Sequence, residues 1–178
     1  YVFFLTIFLF ACTSNKEPLP EPSWEYAPEG IKIHYRADAR LNFYDNVPHT
    51  LVLKIFQLRD ASHFKTLART EPGFIRLLQF TGQPAFLGET QADILSYKQL
   101  IVEPGEEKIV YLDRAEGARW VGIVAGYYRF NLFQACKIFE IPLIYKEEGL
   151  IFKEKSVSVG ELFVNLILGP SGLQQAGG

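Results

Sequence analysis

From Ile31 to Arg40 apolar and polar residues alternate without a break: Ile31, Ile33, Tyr35, Ala37 and Ala39 against Lys32, His34, Arg36, Asp38 and Arg40. A strand sends successive side chains to opposite faces, whereas a helical face recurs every ~3.6 residues. The stretch is therefore confined to a half-buried β-strand. Thr50–Leu58 follows as a second strand that is apolar on both faces except at Lys54 and Gln57, so it belongs inside a sheet. Between them Leu41–Thr50 is a connection, with Asn42, Asp45, Asn46 and Pro48 as its turn residues.

The pattern then changes period. Asp60 can cap a short helix over Ala61–Ala68, with Phe64 and Leu67 inward, and Thr70-Glu71-Pro72 opens a second. Phe74, Leu77 and Leu78 give that helix a core face. Strands resume at Ser96–Val102, Glu107–Asp113, Trp120–Phe130, Lys137–Tyr145, Ile151–Val159 and Leu162–Leu168, and Pro104-Gly105 marks a turn. Gly122, Ala125 and Gly126 leave room for a close neighbour. About seven or eight short strands with a two-helix insertion predict a mainly β chain built as a two-sheet sandwich. Its 178 residues suit one domain, and a formal charge of −2 gives no field for nucleic acid.

Upstream of the strands lies an apolar run, Val2–Phe10, that ends at Ala11-Cys12 and gives way to polar, proline-rich sequence. Its length fits the h-region of a secretory signal, normally about 7–15 residues, and falls short of the ~20 of a membrane-spanning helix. Leu9-Phe10-Ala11-Cys12 resembles a bacterial lipobox, whose cysteine is acylated and becomes the mature N-terminus; Phe10 is bulkier than such motifs usually hold. No Met and no basic segment precede Tyr1, so the first few residues are expected to be missing. Cys12 is then a lipidation site, and several acyl chains, at about 0.8 kcal/mol per buried CH₂, would anchor it firmly. Thr13 stands where an Asp would signal inner-membrane retention, which by resemblance to sorting rules points to the outer membrane. The expected organisation is a truncated leader at 1–11, a lipidated, Pro-rich tether at 12–29, the sandwich at 30–168 and a glycine-rich flexible tail at 169–178.

Chemistry is sparse. His34, His49 and His63 fall on a strand, a loop and a helix without metal-ligand spacing, and no CxxC, HExxH, GxSxG or P-loop occurs. The acidic pairs Glu106-Glu107 and Glu147-Glu148 read as solvated turn residues, because neighbours on a strand face opposite ways. Cys136 reads as a small buried hydrophobe. No catalytic residue, metal site or cofactor is expected beyond the covalent lipid, and the chain is not read as an enzyme.

The order of segments resembles the TssJ (SciN-like) family of type VI secretion lipoproteins. The resemblance rests on Ala39-Arg40-Leu41-Asn42, on Val52-Leu53-Lys54-Ile55-Phe56-Gln57-Leu58-Arg59-Asp60 after Pro48, and on Phe64. It continues through Leu87-Gly88-Glu89, Pro104-Gly105-Glu106 and Ala118–Arg129. The chain departs from the family at Asn42-Phe43, where Asn-Pro is common, and at Phe133-Gln134-Ala135-Cys136, where Trp-Arg is common. The resemblance implies a transthyretin-like sandwich. It also implies an outer-membrane lipoprotein that faces the periplasm and anchors the secretion membrane complex by binding the periplasmic domain of TssM, and through it the TssL–TssM inner-membrane complex. The loop between the first two strands would make that contact, here Asn42, Phe43, Tyr44, Asp45, Asn46, Val47, Pro48 and His49. The alternative is a periplasmic lipoprotein whose sandwich carries a small ligand.

Overall fold

The computed structural model describes residues 20–82, 90–129, 131–148 and 154–175. The leader, Cys12, the tether as far as residue 19, Leu87-Gly88-Glu89 and the last three residues lie outside these. β1 (Ala27–Ala37) buries Ile31, Ile33, Tyr35 and Ala37 and turns Lys32, His34 and Arg36 outward, as its alternation predicts. It lies mid-sheet, antiparallel to β4 (Glu107–Arg114) and parallel to β9 (Leu162–Leu168), and β10 (Leu173–Gln175) closes the far side to give the order β10-β9-β1-β4. The second sheet runs β3-β2-β5-β6, from β2 (Leu51–Leu58), β3 (Ile94–Val102), β5 (Trp120–Ala125) and β6 (Cys136–Glu140). The two sheets form the expected sandwich.

β2 is dry on both faces. Leu51, Leu53, Ile55 and Gln57 alternate with Lys54, Phe56 and Leu58, and all seven are buried. One set meets the first sheet, where the Gln57 side-chain amide donates to the Asp113 carbonyl (2.8 Å) and its oxygen accepts from the Ala115 N–H (2.7 Å). The other set meets a helical layer, α1 (Ser62–Ala68) and α2 (Glu71–Gln79): Phe56 packs against Phe64 and Phe80 at ring separations of 5.4 and 5.8 Å. Thr70 caps α2 by accepting from the Gly73 N–H (3.2 Å) and Pro72 sits in its first turn, as the sequence predicts. At the other end of α2 the Lys54 ammonium donates to the carbonyl of Phe80, the C-cap. Burial lowers the pKa of Lys54, while the negative end of the helix favours the charged form.

Several expectations need correction. Lys137–Tyr145 is not one strand: Ile141 donates the last ladder bond, to Arg119, and Pro142 has no N–H to continue it. β6 stays in the second sheet, while β7 (Leu143–Glu148) pairs with β8 (Glu154–Val159) in a separate hairpin, giving ten strands among the described residues. β1 ends at Ala37, so Ala39 and Arg40 belong to the loop. Short helices α3 (Thr90–Asp93) and α4 (Leu132–Ala135) were not foreseen. The expected flexible tail contains β10, whose Leu173 is buried on β9. The expected tether is docked from Trp24 onward: the Arg119 guanidinium covers the Trp24 ring at 5.5 Å, and Gly117 N–H donates to the Trp24 carbonyl (2.7 Å). Buried Arg114 also donates to the Glu25 carbonyl (2.9 Å).

Gly122 explains how α1 comes so close. A Cβ built there would lie 2.5 Å from the Phe64 ring. Gly122→Val should therefore destabilise the fold by about 1–3 kcal/mol through overpacking, read as a lowered Tm. Gly122→Val with Phe64→Leu should recover part of the loss.

Candidate functional site

The β1–β2 loop lies at one end of the sandwich and is laced to three neighbouring connections. Asp38 N–H donates to Leu168 O (2.9 Å), its carbonyl accepts from Gly105 N–H (3.2 Å), and Phe43 N–H donates to Pro170 O (2.8 Å). Leu41 is fully buried and pins the loop to the core. Asn42 is 7% exposed and has a left-handed backbone (φ 45°), a conformation that Asn tolerates better than most residues. Its amide donates to Thr50 O (3.0 Å) and its side-chain oxygen accepts from Tyr128 N–H (2.8 Å). Asn42 was expected to be a contact residue; the structure instead makes it a buried tie, because both ends of its side chain are taken up internally.

Beyond Asn42 the loop projects a hairpin tip. Tyr44 and Val47 exchange both backbone hydrogen bonds (3.2 and 3.1 Å), and Asp45 and Asn46 both have positive φ (49° and 63°). That is a type I′ turn, which favours Asn and Asp among residues other than Gly. The Tyr44 ring is sandwiched, stacked on His49 at 3.6 Å and on Tyr128 at 4.1 Å. Arg40 covers Phe43 at 5.0 Å. Asp45, Asn46, Val47 and Pro48 are exposed at the tip, and Tyr128 adds a ring that is 63% exposed. The structure thus brings Phe43 to His49 together as one surface and adds Arg40 and Tyr128. Tyr128 was visible in sequence only as part of a strand expected to reach Phe130; the strand stops at Ala125.

The Glu103–Glu106 turn braces the loop from beside Asp38. Glu106 N–H donates to Glu103 O (3.1 Å), with Pro104 and positive-φ Gly105 (76°) in the central positions, the pattern of a type II turn. Glu106 is not merely solvated. Its carboxylate accepts from the Glu103 N–H (3.0 Å) and from the Tyr35 hydroxyl (2.7 Å). The Glu103 amide, foremost, and the Tyr35 hydroxyl hold its pKa below the usual carboxylate value. His34 is also engaged, with Glu107 (2.8 Å) and Asn165 (3.2 Å). Burial pushes the pKa of the Cys136 thiol up to about 12, which keeps it protonated at neutral pH. Among the described residues no cluster of His, Cys, Asp and Glu could hold a metal ion, and no helix is long and apolar enough to cross a membrane.

The chain is thus a sandwich of two four-stranded sheets with a helical flank, a separate β7–β8 hairpin and an aromatic loop braced at one end. The family model for the type VI secretion lipoproteins (VasD, EvfM, TssJ) matches residues 29–151, more than half the chain, and this chain belongs to that family. No curated protein matches it in sequence. Among solved structures it is similar to Serratia marcescens Lip, a membrane-bound component of the type VI secretion system, at 21% identity and a TM-score of 0.59, covering 88% of this chain and 98% of that one. It is similar to the lipoprotein TssJ1 of Pseudomonas aeruginosa at 18% identity and 0.58, covering 88% and 99%. A chain of the structure described as the TssM C-terminal domain from EAEC aligns at 16% identity and 0.55, covering 83% and 98%.

Two outcomes test this geometry. Asn42→Ala loses both ties and puts a less tolerant residue in the left-handed region, so it should lower stability by about 2–4 kcal/mol in chemical denaturation; Asn42→Gly should lose less. Because the folded pKa of Glu106 is depressed, its contribution is present above the unfolded value near 4.3 and is lost as pH falls through the folded value. The Tm gap between the native chain and Glu106→Gln should therefore be full at pH 7 and close below about pH 4.

Proposed function

We propose that this chain is an outer-membrane lipoprotein, acylated on Cys12, that docks the periplasmic domain of TssM through the end of the sandwich carrying the β1–β2 loop. It thereby links the TssL–TssM inner-membrane complex to the outer membrane. The observation that carries the reading is the sandwiched Tyr44 ring. A loop held by two stacking contacts, a type I′ turn and a buried asparagine has little left to order on binding, so its exposed apolar groups are available at low entropic cost. Family membership supplies the secretion system, and likeness to a chain of a structure described by its TssM domain favours the choice of partner.

The soluble domain from Ser14 onward should bind the TssM periplasmic domain in surface plasmon resonance. Phe43→Ala with Tyr44→Ala should weaken binding about 10-fold or more, with circular dichroism unchanged. Val47→Asp, which keeps both stacking contacts, should weaken it as well, and so should Tyr128→Ala, which removes one of them. Unchanged affinity in all of these would move the interface off the loop. Separately, Cys12→Ser should abolish fatty-acid labelling and release the protein into the periplasm; retention in outer-membrane fractions would refute the lipid anchor.

A further inference from the structure

The segment by which the chain enters the fold is held differently from the strand it leads into. No residue from Pro20 to Glu29 is buried, whereas Gly30 is, and Ile31, Ile33, Tyr35 and Ala37 follow it into the core. The hydrogen bonds that hold the segment run to one connection, Asp113–Arg119. The Asp113 carboxylate accepts from the Tyr26 hydroxyl and from the Glu29 N–H (2.9 Å). The Trp24 carbonyl accepts from the Gly117 N–H (2.7 Å) and the Glu25 carbonyl from Arg114 (2.9 Å), while Arg119 covers the Trp24 ring. Ala27 pairs with Arg114, but the ladder slips before Ile31 meets Leu112. Glu29 lies in that slip with a left-handed backbone (φ 50°), which is uncommon for a residue with a side chain. Arg114 is buried without an ion pair among the described residues, and its Nε has no hydrogen-bond partner there.

We infer that Trp24–Glu29 is a strap that opens as one unit while the sandwich stays folded, pivoting between Glu29 and Gly30. The closed strap buries no side chain fully, so opening exposes little apolar surface, the mark of a segment with low local stability. Opening also relieves two costs of the closed state. The Glu29 backbone leaves the left-handed region, and the buried Arg114 guanidinium loses a cover and gains water. Gly30 stays seated: a Cβ there would lie 3.1 Å from the Cβ of Arg114, so the chain is packed from this residue on. Opened, the strap joins the tether and adds at most about 22 Å of reach between the N-terminal anchor and the sandwich. That use of the strap rests on the lipid-anchor reading; its opening does not.

The test is hydrogen exchange on the full chain in non-ionic detergent, read residue by residue after electron-transfer fragmentation. The Gly117 and Glu29 amides report on the strap, because they donate to the Trp24 carbonyl and the Asp113 carboxylate. The Ile33 and Tyr35 amides lie in β1 between β4 and β9 and report on the sandwich. Gly117 and Glu29 should be protected, but about 100-fold less than Ile33 and Tyr35, and low urea should speed chiefly the sandwich pair. Trp24→Ala and Arg119→Gln should each lower the protection of both strap amides by about 2–5-fold or more and leave Ile33 unchanged. Three results overturn the inference: strap amides that exchange together with Ile33, strap amides with no protection, and a response to Trp24→Ala confined to Gly117, which would mean fraying bond by bond. The same measurements on the Cys12→Ser chain keep the two readings apart. If fatty-acid labelling shows no anchor, the gain in reach falls and the opening stands.

Discussion

The structure depends on one constraint: β2 must be kept from water on both sides. A strand with Leu51, Leu53 and Ile55 on one face and Phe56 and Leu58 on the other cannot lie on the outside of a two-layer sandwich. One face is satisfied by the opposite sheet, and the other requires a third layer, which the α1–α2 insertion supplies. The residues that admit this layer are then dictated. Gly122 removes the side chain that would stand in the way of Phe64, and Gly73 does the same between the helices, where a Cβ would meet the Leu67 carbonyl at 2.4 Å. Lys54, the one charge on the helical face, survives burial by ending on the last carbonyl of α2. The insertion is thus the outer wall of the core.

The same economy of polar groups shapes the loop end. There Asn42 ties the loop to the Thr50 carbonyl and the Tyr128 N–H, and Glu106 joins the Glu103 N–H to the Tyr35 hydroxyl; Gln57 and Arg114 make such ties at the opposite end, where the chain enters. Backbone groups at the ends of a sandwich have left their ladders and need partners, and these side chains supply them. The result is an end whose connections share bonds and hold one another still. Surface aromatic rings on such a base keep their positions without a partner.

Much of this was legible in the sequence. The alternation at Ile31–Ala37, the double-sided β2, the cap at Thr70 and the Pro104-Gly105 turn each rest on local rules, and each is where those rules place it. The loop was located as a connection, but its internal organisation was not, because stacking of Tyr44 between His49 and Tyr128 joins residues that only tertiary structure brings together. Asn42 was misread for a related reason: a polar residue in a turn-rich stretch looks exposed until its partners, Thr50 and Tyr128, are known. The break at Ile141-Pro142 carried a signal, since proline cannot donate to a ladder. The strand β10 carried little, because Leu173 is a single apolar residue in a glycine-rich stretch and owes its burial to β9.

The eleven residues of β1 have a mechanical consequence. The chain enters the fold beside Trp24 and Glu25, where Arg114 and Arg119 hold it, and the β1–β2 loop leaves from the other end of the same strand. At about 3.3 Å per residue these two points are roughly 35 Å apart. Tension applied between the N-terminal side and the loop would run along β1, whose ladders with β4 and β9 flank it on both sides. Those hydrogen bonds would be loaded together in shear and not peeled one after another, so the strand that organises the sandwich is also its tie-rod.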